Sequence, residues 1–373
     1  MDKQSTVKCR ESNFDILRVI SAIAVIVIHI TAIYRSALIS GDSFGNNHTD
    51  SLLAILLFDT LTRFAVPCFM MLSGAFLLAD DRNMNFKYFY KKSLKNVVIQ
   101  MVIFSLVFLG YFEFKNIYSV ITEGGGFSKL LIPVVNTLMG RPCSHMWYLY
   151  TLTGIYLLIP FVLKIKNSIS EKAFGMISLI YFVVAVLSGW TSSFRLEWGI
   201  GKVACYLGFV LVGYQLRNIC SGKNNLQGIL LVIAGFLSQL LLVYVQYRHI
   251  LGGITEENEK FSLTSYFNPV VAFAAVLIFA GFSKLNIKNC RLGNLPKLTF
   301  YIYILHMLVI DAVNAAVFKI FGFLPKAEIF IPISLAIVFI LSYILALLYN
   351  KIWNIADRKL SITDKACKLL KLN

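Results

Sequence analysis

The sequence predicts an all-α integral membrane protein with about ten transmembrane helices and with both termini in the cytosol. Three observations support this fold class. Of the 373 residues, 58% are hydrophobic and only 14% are charged, whereas soluble domains carry about 25% charged residues. Apolar runs of about 20 residues, the length that crosses a bilayer, recur along nearly the whole chain. Lysine and arginine are abundant in every second connecting segment.

The ten predicted helices follow one another along the chain. Their approximate bounds are 14–34, 53–79, 95–112, 146–163, 173–190, 203–217, 226–246, 266–283, 298–318 and 329–350. The sixth is the shortest and contains two glycines. No stretch is polar enough for a separate soluble domain. Residues 1–350 are therefore predicted to form a single membrane domain, and residues 351–373 a short basic cytosolic tail.

The orientation follows from the positions of lysine and arginine. With the N-terminus inside, the cytosolic segments hold 23 of the 35 basic residues and the outer segments hold ten, while Arg18 and Arg63 lie within helices. Cytosolic segments of membrane proteins are enriched in these residues. The formal net charge of +16 is thus explained mostly by topology and partly by attraction to anionic lipid headgroups, without nucleic-acid binding.

The first predicted helix carries a cation and an imidazole in an otherwise aliphatic stretch, DILRVISAIAVIVIHI. Arg18 and His29 are eleven residues apart, which on an α-helix corresponds to about 20° of rotation and about 16 Å of rise. Both side chains are therefore predicted on one face, with Arg18 near the cytosolic surface. Asp15, one turn earlier, is placed to orient the guanidinium. The alternatives are an arginine that reaches the headgroups and a histidine bonded to a neighbouring helix, but ionisable groups inside a membrane indicate function.

The second predicted helix, FDTLTRFAVPCFMMLSGAFLLA, contains a pair of opposite charges. Asp59 and Arg63 are four residues apart and can form an ion pair on one helix face. The pair either takes part in chemistry or only makes two charges tolerable in the membrane. Pro67 allows a kink that frees a carbonyl group, and Ser73 and Gly74 allow another helix to approach closely.

A basic cluster follows the second helix on the predicted cytosolic side. Lys91, Lys92 and Lys95 lie on little more than one turn of a predicted interfacial helix. Such a cluster can bind phosphate groups. Basic residues are also expected at this position in any membrane protein of this orientation, so both interpretations stay open.

Further candidates lie in the fourth and ninth predicted helices. His145, Trp147 and Tyr148 open the fourth helix and are predicted at the outer interface, where tryptophan and tyrosine form an aromatic belt. His306 lies inside the ninth helix, where a hydrogen bond to another helix is the simplest interpretation, and Asp311 points to a different face. The five histidines show no metal-ligand spacing, and the chain has no P-loop, GxGxxG, GxSxG or HExxH motif. No metal site is predicted.

Four stretches together resemble the acyltransferase-3 family of membrane-bound acyltransferases. NFDILRVISAIAVIVIHI resembles its first helix, in which a basic residue is followed by ten residues and then histidine. RFAVPCFMMLSGAFLL resembles its second helix, and YIYILHML resembles a late helix that ends in Leu-His. HMWYLYTLTGIYLLIPF resembles a helix of the branch that acts on bacterial surface polysaccharides. One departure is KKSLK at 91–95, where the family often has an arginine-rich R-R-x-x-R. Lysine keeps the charge but not the bidentate contact with phosphate.

The resemblance implies transfer of an acyl group, usually acetyl from cytosolic acetyl-CoA, to a hydroxyl of a cell-envelope polysaccharide or its lipid-linked precursor. It implies a multi-pass protein of the cell membrane, with membrane lipid and a glycan acceptor as partners and without nucleic acid. The sequence also allows a homo-oligomer. The rival interpretation is a polysaccharide exporter or flippase, in which the same charged residues line a path through the membrane. A third is an inert partner of a glycan synthase.

The resemblance also implies roles for particular residues. His29 is expected to be the general base, because neutral imidazole is poised to accept a proton near pH 7. Arg63, held by Asp59, is expected to orient His29 or the acceptor. The expected donor-binding residues are Arg18, Asp15, Lys91, Lys92 and Lys95, and the expected acceptor contacts are His145, Trp147, Tyr148 and His306.

Overall fold

The computed structural model describes residues 11–40, 51–123, 135, 145–191, 200–252, 263–288 and 292–372. Within these segments the chain is built from helices and contains no strand. The predicted all-α, polytopic membrane fold is confirmed. The helices are α1 (Ser12–Ser40), α2 (Leu52–Thr62), α3 (Ala65–Leu77), α4 (Phe86–Ser93), α5 (Ile99–Glu123), α6 (Trp147–Ser168), α7 (Glu171–Trp190), α8 (Ile200–Ile219), α9 (Asn225–Leu251), α10 (Pro269–Lys284), α11 (Leu295–Phe321), α12 (Ala327–Leu360) and α13 (Ile362–Leu369).

Each predicted span overlaps one of these helices or, for the second span, two of them. Eight helical segments in the described residues are long and apolar enough to cross a membrane: 12–35, 52–77, 86–111, 147–168, 171–190, 225–251, 295–321 and 327–360. Helix α10 is apolar but has only 16 residues, and α8 is not among the eight. The number of crossings and the cytosolic position of both termini stay predictions.

The second predicted span is interrupted where α2 ends and α3 begins. Helix α2 ends at Thr62 and α3 starts at Ala65, two residues before Pro67. Proline has no N–H group to bond the carbonyl of Arg63, four residues earlier, so the helix is weakened at this point. The break lies beside the ion pair of Asp59 and Arg63, and the Asp59 carboxylate contacts Thr31 and Arg35 in the C-terminal half of α1.

Helix α3 packs against α8 with almost no space between their backbones. A Cβ atom on Gly74 would lie 1.8 Å from the carbonyl oxygen of Val210, and one on Gly213 would lie 2.2 Å from that of Met71. Only glycine fits at either position. The predicted small-residue face of the second span therefore allows α8 to approach α3 closely. Helix α3 also forms one wall of the site described below.

Helix α1 lies at the centre of the described structure and packs on α2, α3, α11 and α12. Its apolar side chains are buried, among them Leu17, Ile26 and Ile30, each at most 1% exposed. A helix that is apolar on all sides is buried in the interior of a membrane bundle. Side chains on α1 are therefore held by neighbours from both halves of the chain.

The residues beyond 350, predicted as a basic tail, continue the fold. Helix α12 runs to Leu360 and ends where Ser361 adopts a positive φ of 50°. The Asp357 carboxylate accepts hydrogen bonds from the N–H and hydroxyl of Thr363 and lies 3.4 Å from the ammonium of Lys95. Short helix α13 then packs back with Cys367 fully buried.

Candidate active site

Three histidines from distant parts of the chain form one cluster, which we call the histidine cluster. His29 comes from α1, His306 from α11, and His145 from the turn before α6. The ring centroid of His306 lies 5.1 Å from that of His29 and 5.2 Å from that of His145, and the centroids of His29 and His145 are 6.2 Å apart. His145 and His306 are fully buried, whereas His29 is partly exposed.

Main-chain carbonyls hold the two buried rings. Nε2 of His145 lies 3.0 Å from the carbonyl oxygen of Ile304, and Nδ1 of His306 lies within hydrogen-bond distance of the carbonyl oxygen of Tyr303. The second nitrogen of each ring, Nδ1 of His145 and Nε2 of His306, is buried without a partner among the described residues. Such orphaned polar atoms are rare and call for a ligand, a water or a function.

Aromatic rings enclose the cluster. The hydroxyl of Tyr303 donates a 2.6 Å hydrogen bond to the main-chain oxygen of His145, and its ring lies 5.7 Å from both buried imidazoles. Phe108 of α5 packs edge-on against His145 at 4.9 Å. Tyr148 packs on Tyr303 at 5.1 Å. The histidine cluster is therefore shielded from bulk water on these sides, which strengthens electrostatic interactions within it.

A cavity of about 230 Å³ leads from the predicted cytosolic end of the bundle toward this aromatic wall. It lies between α1, α3, α6 and α11, and its walls are mostly apolar and aromatic with a few polar groups. Its lining residues are Arg18, Phe69, Leu72, Ser73, Phe76, Leu77, Tyr148, Leu152, Tyr156, Thr299, Phe300 and Tyr303. Arg18 lies at one end, and Tyr148 and Tyr303 separate the other end from the histidine cluster. Of the predicted pair on α1, Arg18 lines this cavity and His29 does not.

Two guanidinium groups stack on one ring of the cavity lining. Arg18 lies 5.7 Å from the ring centroid of Phe76 and forms the predicted ion pair with Asp15, at 3.0 Å. Arg217, from the last turn of α8, lies 4.8 Å from the same ring and also binds the Ala75 carbonyl and the Glu11 carboxylate. Each guanidinium group thus has a carboxylate partner, and because a guanidinium group has five N–H donors it can also bind an anionic ligand group. Arg217 was missed by sequence reasoning, because a basic residue at the end of a helix is expected from topology alone.

A cluster of charges lies farther along α1. The Asp59 carboxylate forms the predicted pair with Arg63, at 2.7 Å, and also accepts a 2.6 Å hydrogen bond from Arg35. Its other oxygen accepts a hydrogen bond from the hydroxyl of Thr31, two residues after His29. Arg63 donates to the carbonyl of Thr264 as well. Asp59 thus joins α1 and α2, and Arg35 is a member that sequence analysis did not single out.

The structure places the remaining predicted site residues away from the histidines. Lys91 and Lys92 are exposed on α4, Lys95 is near Asp357, and none of the three lines the cavity among the described residues. Trp147 packs on Tyr206, with ring centroids 5.3 Å apart. The lysines are therefore exposed and, unlike Arg18, are not part of the cavity lining.

His145 and Tyr148 do not face lipid, as members of an aromatic belt would, and their depth in the membrane stays a prediction. His145 is completely buried and Tyr148 is 6% exposed, whereas belt residues face the lipid headgroups. The reason is tertiary: His145 and Tyr148, at the start of α6, contact Ile304 and Tyr303 of α11. His306 also differs from expectation, because its hydrogen bond goes to a carbonyl of its own helix rather than to another helix.

The arrangement supplies the parts of a group-transfer site. It has imidazoles with free lone pairs, a neighbouring cavity with a cationic end, and aromatic walls. The described residues contain no group of three or more His, Cys, Asp or Glu side chains placed to hold a metal ion. Imidazoles in such surroundings serve as proton acceptors for a nucleophile.

Comparison with known proteins identifies the family. A family model described as an acyltransferase domain, that of acyltransferase-3, matches residues 11–350. No curated protein and no solved structure matches the chain. The match spans α1 to α12 and includes the histidine cluster, the cavity and the Asp59 charges. The chain is therefore a multi-pass membrane protein that belongs to the acyltransferase-3 family of acyltransferases.

Proposed function

We propose that this acyltransferase moves an acyl group, acetyl in the simplest case, from cytosolic acyl-CoA to a hydroxyl of a cell-envelope polysaccharide or its lipid-linked precursor. The reaction takes place in the cell membrane. The observation that carries the proposal is the cavity that begins at Arg18 and ends at the tyrosines in front of the histidine cluster. A thioester on a long arm can extend through this cavity from Arg18 as far as Tyr148 and Tyr303, and these side chains have to move aside for the carbonyl carbon to reach His29.

The donor fits the cavity by charge and shape. The phosphates of CoA bind near Arg18 and Arg217, where charge-assisted hydrogen bonds are strong. Lys91, Lys92 and Lys95 attract the anionic donor to this side of the membrane. The arm enters between the rings of Phe76 and Tyr156, which line the cavity together with Ser73. Binding sites for such ligands are mostly apolar with a few polar groups that fix orientation.

The transfer step needs one base. His29 takes the proton of the acceptor hydroxyl while the hydroxyl oxygen attacks the thioester carbonyl carbon. The tetrahedral intermediate collapses, the carbon–sulfur bond breaks, and the thiolate takes the proton from the imidazolium of His29. The products are the O-acyl ester and free CoA thiol. Neutral imidazole suits this cycle because it accepts and returns one proton near pH 7.

The acceptor approaches from the side of the Asp59 cluster. Arg63 and Arg35 are both bound to Asp59, and through Thr31 they lie near the part of α1 that follows His29. Guanidinium groups fixed in this way can orient sugar hydroxyls or the phosphate of a lipid-linked acceptor. Trp147, near Lys202 and Tyr206, adds an aromatic surface on which a sugar ring can stack.

The test is transfer of label by purified protein. Wild-type protein in lipid nanodiscs is supplied with acetyl-CoA labelled in the acetyl group and with the envelope fraction of the source cells as acceptor. We expect label in the glycan fraction and release of CoA, and loss of both in His29→Ala. His249→Ala, at the end of α9, is the matched control and should transfer normally. Movement of glycan across a vesicle membrane with the label left on CoA would instead support the exporter.

A further inference from the structure

The two buried histidines are fixed in opposite tautomers. A carbonyl oxygen can only accept a hydrogen bond, so the ring nitrogen that faces it carries the hydrogen. The hydrogen is therefore on Nδ1 in His306, which faces the Tyr303 carbonyl, and on Nε2 in His145, which faces the Ile304 carbonyl. Each ring keeps a lone pair on its other nitrogen. Both lone pairs are buried, and neither meets a donor in the described part of the chain.

His29 has the right distance to supply a donor to one of them. Two imidazoles joined by an N–H···N hydrogen bond have ring centroids about 5 Å apart, because the N···N distance is about 2.9 Å. The 5.1 Å between His29 and His306 fits such a bond after rotation of the His29 ring, whereas the 6.2 Å between His29 and His145 is too long. His29 is partly exposed, and no described residue forms a hydrogen bond with its ring. The ring can therefore rotate.

We propose that His306 is a positioning residue that fixes the tautomer of His29. Its Nε2 accepts the single ring hydrogen of neutral His29, which directs the lone pair of the other His29 nitrogen toward the acceptor hydroxyl. The Tyr303 carbonyl holds His306 from behind. The inference rests on the proposed function, in which His29 is the base.

The proton balance of the reaction is unchanged by this arrangement. When His29 takes the hydroxyl proton it becomes an imidazolium with two N–H groups, one of which stays bonded to Nε2 of His306. His306 keeps its own hydrogen on Nδ1 throughout. The proton then leaves His29 for the CoA thiolate. The arrangement follows the logic of a triad, in which a third group orients the base, but here a neutral histidine and a carbonyl stand in the place of a carboxylate.

Other charged groups near the cluster do not perform this task. Asp59, Arg63 and Arg35 bind one another and Thr31, and in the described residues none of them hydrogen-bonds an imidazole. The hydroxyl of Tyr303 is used in its bond to the main chain at His145. His306 is thus the group with an unused lone pair whose ring lies close enough to His29, at 5.1 Å between centroids, for the proposed bond.

Substitutions that replace one ring nitrogen of His306 and remove the other test the proposal. His306→Asn keeps an N–H near the position of Nδ1 and so retains the bond to the Tyr303 carbonyl, but it has no atom at Nε2. His306→Gln places an amide oxygen near Nε2, where it can accept the hydrogen of His29. His249→Gln is the control, because it makes the same change to a histidine of α9 that lies outside the histidine cluster.

We expect kcat for acetyl transfer to fall about 100-fold in His306→Asn, the usual contribution of a well-placed general base, with KM for acetyl-CoA unchanged. His306→Gln should recover about a tenth of the wild-type kcat, and His249→Gln should stay within about threefold of it. A wild-type kcat in folded His306→Asn would overturn the proposal, as would equal losses in His306→Asn and His306→Gln.

A second measurement does not depend on activity. Nitrogen-15 NMR of histidine-labelled protein in nanodiscs reports which ring nitrogen carries hydrogen. We expect a single His29 tautomer in the wild type, with a scalar coupling across the bond to His306, and a mixture of tautomers in His306→Asn. Mixed tautomers of His29 in the wild type would refute the proposal even if every variant failed to fold. If wild-type protein transfers no label, the proposed function is wrong, and the NMR result still decides whether the two rings are joined.

Discussion

Asp59 accepts a 2.6 Å hydrogen bond from Arg35 and thereby fastens α2 to the outer part of α1. The carboxylate is fully buried and also holds Arg63 and Thr31. One acidic side chain thus compensates the charges of two guanidinium groups near the junction of α2 and α3. Removing one partner of a buried ion pair costs more than the pair itself contributes, because a charge is left without compensation.

Asp59→Asn should therefore destabilise the protein by about 3 kcal/mol. The measurement is thermal unfolding in detergent, followed by intrinsic fluorescence. The control is Asp80→Asn, whose carboxylate pairs with the exposed Arg82 and caps the turn at Asp81–Met84. Asparagine keeps that cap and a surface pair contributes little, so this variant should unfold like the wild type. Equal unfolding temperatures for both variants would contradict the importance of the Asp59 cluster.

Arg18→Ala should raise KM for acetyl-CoA about tenfold with little change in kcat, the loss expected for one charge-assisted hydrogen bond. The reason is that Arg18 lies at the far end of the cavity from the histidines and binds donor rather than transition state. The KM of Arg18→Lys should lie between those of the wild type and Arg18→Ala. Lys172→Ala, at an exposed lysine of α7 that does not line the cavity, is the control and should keep a KM close to wild type. A fall in kcat alone would place Arg18 in the chemical step instead.

Filling the cavity should block the donor. Ser73→Phe adds a ring to the space between α1, α3 and α6, and we expect acetyl-CoA binding to weaken about tenfold or more because the arm and the new ring compete for one volume. Leu157→Trp adds similar bulk on the exposed face of α6 and should leave binding unchanged. Isothermal titration with a non-hydrolysable acetyl-CoA analogue measures both. Normal binding by folded Ser73→Phe would show that the donor enters elsewhere.

Gly74→Ala should be destabilising, by about 1–3 kcal/mol. Its Cβ would lie 1.8 Å from the Val210 carbonyl oxygen, so α3 and α8 would have to separate. Gly110→Ala is the control, because a Cβ there meets nothing within 4 Å and alanine favours the helix. Chemical unfolding in mixed micelles should rank Gly74→Ala below the wild type and Gly110→Ala at or above it. The reverse order would contradict the close packing of these helices.

Local periodicity predicted some of the site. The Asp15–Arg18 pair and the Asp59–Arg63 pair both follow from spacing along a single helix. The break between α2 and α3 follows from Pro67. These relationships need no knowledge of how helices pack against one another.

Convergence of the three histidines could not be predicted in this way. His145 and His306 are 161 positions apart. They meet because α11 packs against α1 and because His145, before α6, is bonded to Ile304 and Tyr303 of α11. Hydropathy placed His145 at a helix end and hence at the interface, since it cannot distinguish a helix end that faces headgroups from one covered by other helices. The cavity and Arg217 were hidden for the same reason: each depends on helices that are distant in the sequence.

Tyr303 contacts both the cavity and the histidine cluster. Its ring lines the cavity, its hydroxyl holds the main chain at His145, and its carbonyl holds His306. A shift of Tyr303 would therefore disturb the hydrogen bonds that hold both buried histidines. Under the proposed function, a donor that presses on this ring from the cavity would thus also act on the groups that handle the proton.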